Sequence, residues 1–388
     1  MNDSLKIGIT CYPSLGGSGV VATELGKLLA ERGHQVHFIT HNIPFRLGST
    51  FQKNIHYHEV DVNDYYVFRY PPYDLSLASK MAQVANMQQL DLLHVHYAVP
   101  HAICAYLAKQ MAPHLKVVTT LHGTDITVLA QDESLKDMIR FAINQSDAVT
   151  AVSSDLIRET RELLDITREV DLTYNFVDKR VYYPRDCSQL RSDFAFPHEK
   201  ILMHISNFRP VKRVTDVIET FARVHESVPS RLMLVGEGPD MPKVQCKIRE
   251  MGLEDRVHFL GKQDEIAQVI SLADVLLLPS EKESFGLVAL EAMACGVPTI
   301  GSEAGGIPEL ISHRETGYLA PIGDTDLMAQ YAIELLSNDE LAAKMREACL
   351  HRARNVFCND LITQKYEEIY YRVLGKTVTP FERATCEL

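Results

Sequence analysis

Short apolar runs separated by amphipathic stretches recur twice along the chain, once on each side of residues 174–200. In the first series, strand patterns fall at 5–10, 35–40, 92–96, 116–120 and 148–152, with helical patterns at 19–31, 75–89, 101–110 and 135–145. In the second, strand patterns fall at 201–205, 231–235, 257–260, 275–278 and 298–300, with helical patterns at 213–226, 241–251, 264–271 and 287–294. Buried strands joined through helices form a parallel sheet covered on both faces. The pattern predicts an α/β protein with two such sheets in succession, in domains facing a cleft. Residues 174–200 mix turn formers, charge and aromatics, which marks a connection. The remainder reads as helices at 324–337 and 340–374, with no late strand.

A length of 388 residues exceeds one ordinary core. We divide the chain into residues 1–178, residues 179–360 and a terminal helical segment, 361–388, that packs back on the first domain. Acidic residues outnumber basic ones, 51 to 39, for a formal charge of -12, which argues against a general nucleic-acid coat but leaves room for a local phosphate pocket. The eight cysteines show no C-x-x-C spacing and read as free thiols. The first ten residues lack the basic flank and apolar stretch of a signal peptide, and no run of about 18 apolar residues occurs. These features predict a cytoplasmic enzyme with no membrane insertion. The oligomeric state stays open, with a homodimer among the options.

Chemistry concentrates where strands end. After the first strand, Gly16-Gly17-Ser18-Gly19 opens a helix whose free N–H groups favour an anion. The stretch fits a loose dinucleotide pattern, but the acid expected at the end of the second strand is missing: that end reads Phe38-Ile39-Thr40-His41. A substrate phosphate or a purely structural turn are the remaining readings. In the second series, Ser206-Asn207-Phe208-Arg209-Pro210-Val211-Lys212-Arg213 places a hydroxyl and cations at a carboxyl strand end. Arg209 offers planar donors to phosphate oxygens and Lys212 a mobile point charge. Gly236 allows a close turn after the next strand.

Glu283-Ser284-Phe285-Gly286-Leu287 precedes and opens the apolar helix at 287–294, with its N–H groups aimed at a diphosphate. Glu291 interrupts the stretch LVALEAMACGVP, and a buried carboxylate needs a partner that a ribose diol would supply. The bland reading puts Glu291 on an exposed helix face. The two glycines of Gly305-Gly306 line the same edge. Asp324-Thr325-Asp326 reads as a helix cap and not as a metal pair. His94 and His96 share one face of a strand without an acidic third ligand, so no metal site is assigned.

With these motifs in hand, the chain resembles the GT-B retaining glycosyltransferases of family 4. The resemblance rests on Gly16-Gly17, His122, Arg209 with Lys212, and Glu283 and Glu291 with seven residues between them. The narrower stretches 94–101, 120–126, 174–178 and 205–213 are similar to the branch that attaches N-acetylglucosamine to L-malate on the way to bacillithiol. The resemblance implies two Rossmann-like domains, the first for the acceptor and the second for the nucleotide sugar. It implies UDP-N-acetylglucosamine as donor, no required cofactor or metal, and a front-face reaction in which the donor phosphate accepts the malate proton.

Carried over residue by residue, Arg209 and Lys212 would stabilise the diphosphate and Glu291 would bind ribose. Glu283 with Ser284, Phe285, Gly286 and Leu287 would position the sugar, His122 would lie beside it, and Gly16-Gly17 would approach the phosphates; Ser206 and Gly236 complete the donor set. Malate carries two carboxylates, and Tyr97, Thr120, Lys53, Arg69 and Arg158 are the candidates to meet them. Tyr97 and Thr120 rank first because both end strands. Another retaining transferase, a sugar-nucleotide epimerase and a non-catalytic nucleotide sensor are the competing functions.

Overall fold

The computed structural model describes residues 4–13, 16–44, 46–48, 52–62 and 66–377. Its contacts divide the chain into two units: the first runs to Asn175 and resumes at Asn359, and the second spans Phe176–Cys358.

In the first unit, seven parallel strands are β1 Lys6–Thr10, β2 Gln35–Thr40, β3 Ile55–Glu59, β4 Leu92–His96, β5 Lys116–Leu121, β6 Ala148–Ala151 and β7 Asp171–Leu172. Their order is β3-β2-β1-β4-β5-β6-β7. Around them lie α1 Gly17–Glu31, α2 Tyr73–Gln88, α3 Ile103–Met111, α4 Thr124–Thr127, α5 Glu133–Gln145 and α6 Ser154–Leu164. A Cβ on Gly26 of α1 would stand 2.4 Å from the Phe38 ring of β2, so glycine there sets how closely helix and sheet pack.

The second unit repeats the plan with α7 Ser188–Arg191, β8 Lys200–Ile205, α8 Val214–Ser227, β9 Ser230–Val235, α9 Met241–Glu250, β10 Val257–Gly261, α10 Ile266–Ile270, β11 Val275–Leu278, α11 Leu287–Ala294, β12 Thr299–Ser302, α12 Ile307–Leu310, β13 Gly317–Ala320, α13 Thr325–Leu336 and α14 Asp339–Val356. The sheet order is β10-β9-β8-β11-β12-β13. Phe208, Phe221, Leu232, Leu277, Ile300 and Tyr318 belong to its core.

The last helix, α15 Asn359–Val373, packs in the first unit. There the Glu367 carboxylate accepts from Arg32 at 2.8 Å and meets His34 Nε2 at 2.9 Å, while the Tyr366 hydroxyl sits 3.1 Å from Thr173 Oγ1. The single helix expected over 340–374 therefore breaks at Phe357–Cys358, where Phe357 turns into the core against Phe285, ring centroids 5.7 Å apart. The expected absence of a late strand is corrected as well. β13 pairs with β12 from Thr299↔Gly317 to Ser302↔Ala320 and closes the sheet edge.

Both strand orders reverse direction at one point, between β1 and β4 in the first unit and between β8 and β11 in the second. Such a switch point opens a crevice at the carboxyl ends of the strands, the usual ligand position in open α/β sheets. The seven cysteines among the described residues are all free, and five of them are buried; Cys386 lies outside the described residues.

Candidate active site

In the second unit, the loops leaving β8 and β11 flank the switch point, and they carry Arg209, Lys212 and Glu283. The Lys212 ammonium donates to Glu283 Oε2 at 2.5 Å, with both side chains four-fifths buried or nearly so. A backbone bond from Glu281 N–H to the Val211 carbonyl, 2.8 Å, ties the two loops together beside that pair. Arg209 is exposed and has no ion-pair partner among the described residues. Arg213 instead pairs with Asp216 at 2.7 Å at the start of α8.

Glycines bring a third loop against this edge. A Cβ on Gly236, which has φ +110°, would fall 1.9 Å from the Ser206 carbonyl oxygen, and one on Gly238 would fall 2.0 Å from that of Asn207. Gly236 thus serves first as a close-approach residue after β9. The Ser206 hydroxyl is engaged within the turn: it lies 2.8 Å from Nε2 of buried His204 and accepts from Phe208 N–H. Gly305 and Gly306 press likewise on the backbone of Glu283 and Ser284, and Gly306 N–H donates to the Glu283 carbonyl at 2.9 Å.

Helix α11 starts from Gly286 in the left-handed region at φ +96°, with no side-chain cap and no acid in its first turn. Its positive end is therefore available to an anion. The Phe285 side chain points into the core, so only its backbone serves this edge. Glu291 is buried one turn into the helix, and the Tyr182 hydroxyl donates to its Oε1 at 2.5 Å. The expectation of an internal conflict awaiting a ribose is corrected in part: Tyr182 already supplies a donor. Tyr182 escaped the sequence reading, although the Val181-Tyr182-Tyr183 run inside a polar connection was its signal. Asp324 does cap α13, accepting from Leu327 N–H at 2.9 Å.

The first unit builds its switch point differently. α1 begins at Gly17 with Gly16 as an extended N-cap, again without a side-chain cap or an acid in the first turn. Beyond β4, Tyr97 takes φ +89°, a costly value for a tyrosine. Its N–H donates to the Thr120 carbonyl at 3.0 Å, and its ring stacks on His122 at 5.8 Å. The buried Asp125 carboxylate accepts from the N–H groups of Ala98 (3.2 Å), His122 (3.2 Å) and Gly123 (2.9 Å), clamping the loops after β4 and β5 together. Burial pushes the Asp125 carboxyl up to about 6 despite these bonds.

His122 Nε2 lies 2.7 Å from His96 Nδ1. Burial lowers His94 and His122 to about 3, His101 to about 4 and His96 well below its ordinary value, so this group is neutral at pH 7. Among the described residues, no group of three His, Cys, Asp or Glu side chains is arranged to hold a metal ion.

The five acceptor candidates do not share one environment. Tyr97 stands beside His122. Thr120 is wholly buried, its hydroxyl 2.7 Å from His94 Nε2 and 2.7 Å from Thr150 Oγ1, so it supports the floor and does not face a ligand. Lys53 precedes β3 and so lies at the amino edge of the sheet, opposite the switch point. Arg158 is exposed on α6 and paired with Asp155 and Glu162 of its own helix. Arg69 is exposed over the Tyr70 ring, 5.6 Å from its centroid.

Comparison with known proteins agrees with this architecture. Residues 15–181 match the family model described as Glycosyltransferase Family 4, and residues 188–352 that described as Glycosyl transferases group 1. The chain is 58% identical over 372 residues to N-acetyl-alpha-D-glucosaminyl L-malate synthase of Bacillus anthracis, covering 95% of this chain and 97% of that one. It is 25% identical over 369 residues to D-inositol 3-phosphate glycosyltransferase of Corynebacterium efficiens, covering 88% and 87%. Among solved structures, Anabaena HepE in complex with UDP-glucose superposes with a TM-score of 0.81 at 22% identity, over 95% of this chain and all of that one. Sucrose-phosphate synthase of Thermosynechococcus elongatus gives a TM-score of 0.79 at 21% identity, over 96% and 99%. Two Rossmann-like units, uncapped helix ends at both switch points and full-length identity to a named synthase converge: the chain belongs to glycosyltransferase family 4, with the GT-B fold.

Proposed function

We propose that this enzyme transfers N-acetylglucosamine from UDP-N-acetylglucosamine to the hydroxyl of L-malate, giving the α-linked glucosaminyl malate precursor of bacillithiol and UDP. The observation that carries this reading is the 58% identity over nearly the whole of both chains to a glucosaminyl malate synthase. The second unit takes the donor: Arg209, Lys212 and the amino end of α11 bind the diphosphate, Glu291 the ribose, and Glu283 the sugar. The first unit takes malate, with Tyr97 as its best-placed contact and His122 beside the transferred sugar. The reaction belongs in the cytoplasm, with small-molecule substrates only. Among the described residues, no helix is long and apolar enough to cross a membrane.

Breaking the anomeric C–O bond leaves negative charge on UDP and positive charge on the sugar. Cations and helix N–H groups already in place stabilise the departing diphosphate more than the bound substrate, which lowers the barrier. The malate oxygen bonds to the anomeric carbon on the face that UDP leaves, and its proton passes to the leaving phosphate oxygen. The α configuration is kept without a covalent enzyme intermediate.

The test is incubation of purified protein with UDP-N-acetylglucosamine and L-malate, followed by product mass and anomeric coupling. Malate-dependent release of UDP with an α-linked product of the combined mass is expected. Conversion of the donor without malate points to an epimerase, and a product formed only with another acceptor, such as inositol 3-phosphate, reassigns the branch.

A further inference from the structure

His96 is wholly buried, yet its ring makes a hydrogen bond to the His122 ring. A bond between two neutral imidazoles holds a single proton, so one ring donates and the other accepts. The rest of the neighbourhood decides which. His96 Nε2 is buried with no partner. Were the His96 proton on Nε2, the fold would bury an orphaned N–H donor; with the proton on Nδ1, only a bare lone pair goes unpaired, the milder defect. His101 makes the same choice: its Nδ1 bonds the His96 carbonyl, which can only accept, and its own Nε2 is buried and unpartnered.

We propose that His96 is a positioning residue that donates its Nδ1 proton to His122 Nε2, fixing His122 as the Nδ1–H tautomer. His122 then offers a hydrogen-bond donor to an oxygen of the transferred sugar and is not available as a base through Nε2. This inference rests on the reading that His122 meets the sugar, and it deepens that reading: the proton of the acceptor hydroxyl has to leave by another route, the donor phosphate. The arrangement follows the general logic by which a buried partner selects the working tautomer of a catalytic histidine.

Two-bond 15N–1H correlation spectra of the full-length protein labelled at histidine report the tautomer directly, with the His122 signals assigned by their loss in His122→Asn. The wild type should show the proton on Nδ1. In His96→Asn the side-chain amide replaces the Nδ1–H donor, so the tautomer should persist and kcat should stay within about threefold. In His96→Leu the donor is gone, so His122 should shift towards Nε2–H and kcat should fall at least about tenfold with little change in KM for the donor. A wild-type His122 carrying its proton on Nε2 overturns the proposal whatever the variants do. So does a folded His96→Leu that keeps either the wild-type tautomer or the wild-type kcat. Absence of malate-dependent transfer in the wild type would instead overturn the functional reading, and the ligand-free spectrum would still decide the role of His96.

Discussion

At the switch point of the first unit, the histidines behind the loops are neutral and the side chains interlock: His96 with His122, His101 with the His96 carbonyl, Thr120 with His94 and Thr150, and the Asp125 carboxylate with three backbone N–H groups. At the same point of the second unit the side chains are charged, with Lys212 on Glu283 and Arg209 exposed, and the loops are held by glycine contacts between backbones. One topology thus frames two solutions. A diphosphate needs cations in place beside it and backbone that can approach closely. A small acceptor and a sugar hydroxyl need fixed directions, which buried hydrogen bonds supply. The difference between the units is what the proposed division of labour asks of their side chains.

The largest expected effect breaks the charged half. Replacing Arg209 and Lys212 together by alanine should reduce kcat/KM by about a thousandfold or more while leaving the circular dichroism spectrum unchanged. A loss below about tenfold would show that the second unit does not use these cations on the leaving group.

Acidification separates the halves next. The histidines have folded-state values depressed below 6.5, so their neutral forms contribute stability that is present above about pH 6.5 and is lost as pH falls towards about 4 and 3. Asp125, raised to about 6, runs the other way: its contribution is full below its ordinary value of 3.8 and is lost as pH rises through about 6. In the first unit His37 and His58 are depressed too; in the second, His204 and His225 are. Hydrogen exchange at pH 7.5 and pH 5, corrected for intrinsic rates, should show the first unit opening first; earlier opening of the second would contradict the contrast.

Smaller effects sharpen it. Replacing His122 by alanine should lower kcat about ten- to a hundredfold without weakening UDP binding, measured by calorimetry. Tyr182→Phe removes the donor to buried Glu291 and should cost the second unit about 1–3 kcal/mol in urea titrations. Tyr366→Phe, which removes only the hydroxyl beside Thr173, should cost the first unit about 1 kcal/mol.

The strands that form the middle of each sheet were legible because β1, β4, β8 and β11 are apolar runs bounded by turns, and the loops leaving them carry Gly16, Arg209, Lys212 and Glu283. The edges were not. β3 reads Ile55-His56-Tyr57-His58-Glu59, half-exposed and polar, and β7 has two residues. β13 is four residues beginning with glycine. Helix α6 was passed over although its cap, Ser153 accepting from Leu156 N–H, had a sequence signal. The helix break before α15 has neither Gly nor Pro; tertiary packing of Phe357 makes it. At the site, residue type was readable but depth was not. Thr120 ends a strand pattern as Tyr97 does, and only its side-chain hydrogen bonds to His94 and Thr150 reveal that it faces inward. Sequence spacing sets His96 only beside His94 and assigns no metal there; its hydrogen-bond partner, His122, is too distant in sequence for spacing to show.

Calorimetric titration of UDP into wild type, the Arg209→Ala/Lys212→Ala double variant and His122→Ala tests the division of labour most directly. The account predicts that the double variant loses UDP affinity by at least about a hundredfold, whereas His122→Ala binds UDP as the wild type does. Equal losses in both variants, or undiminished binding in the double variant, would contradict it.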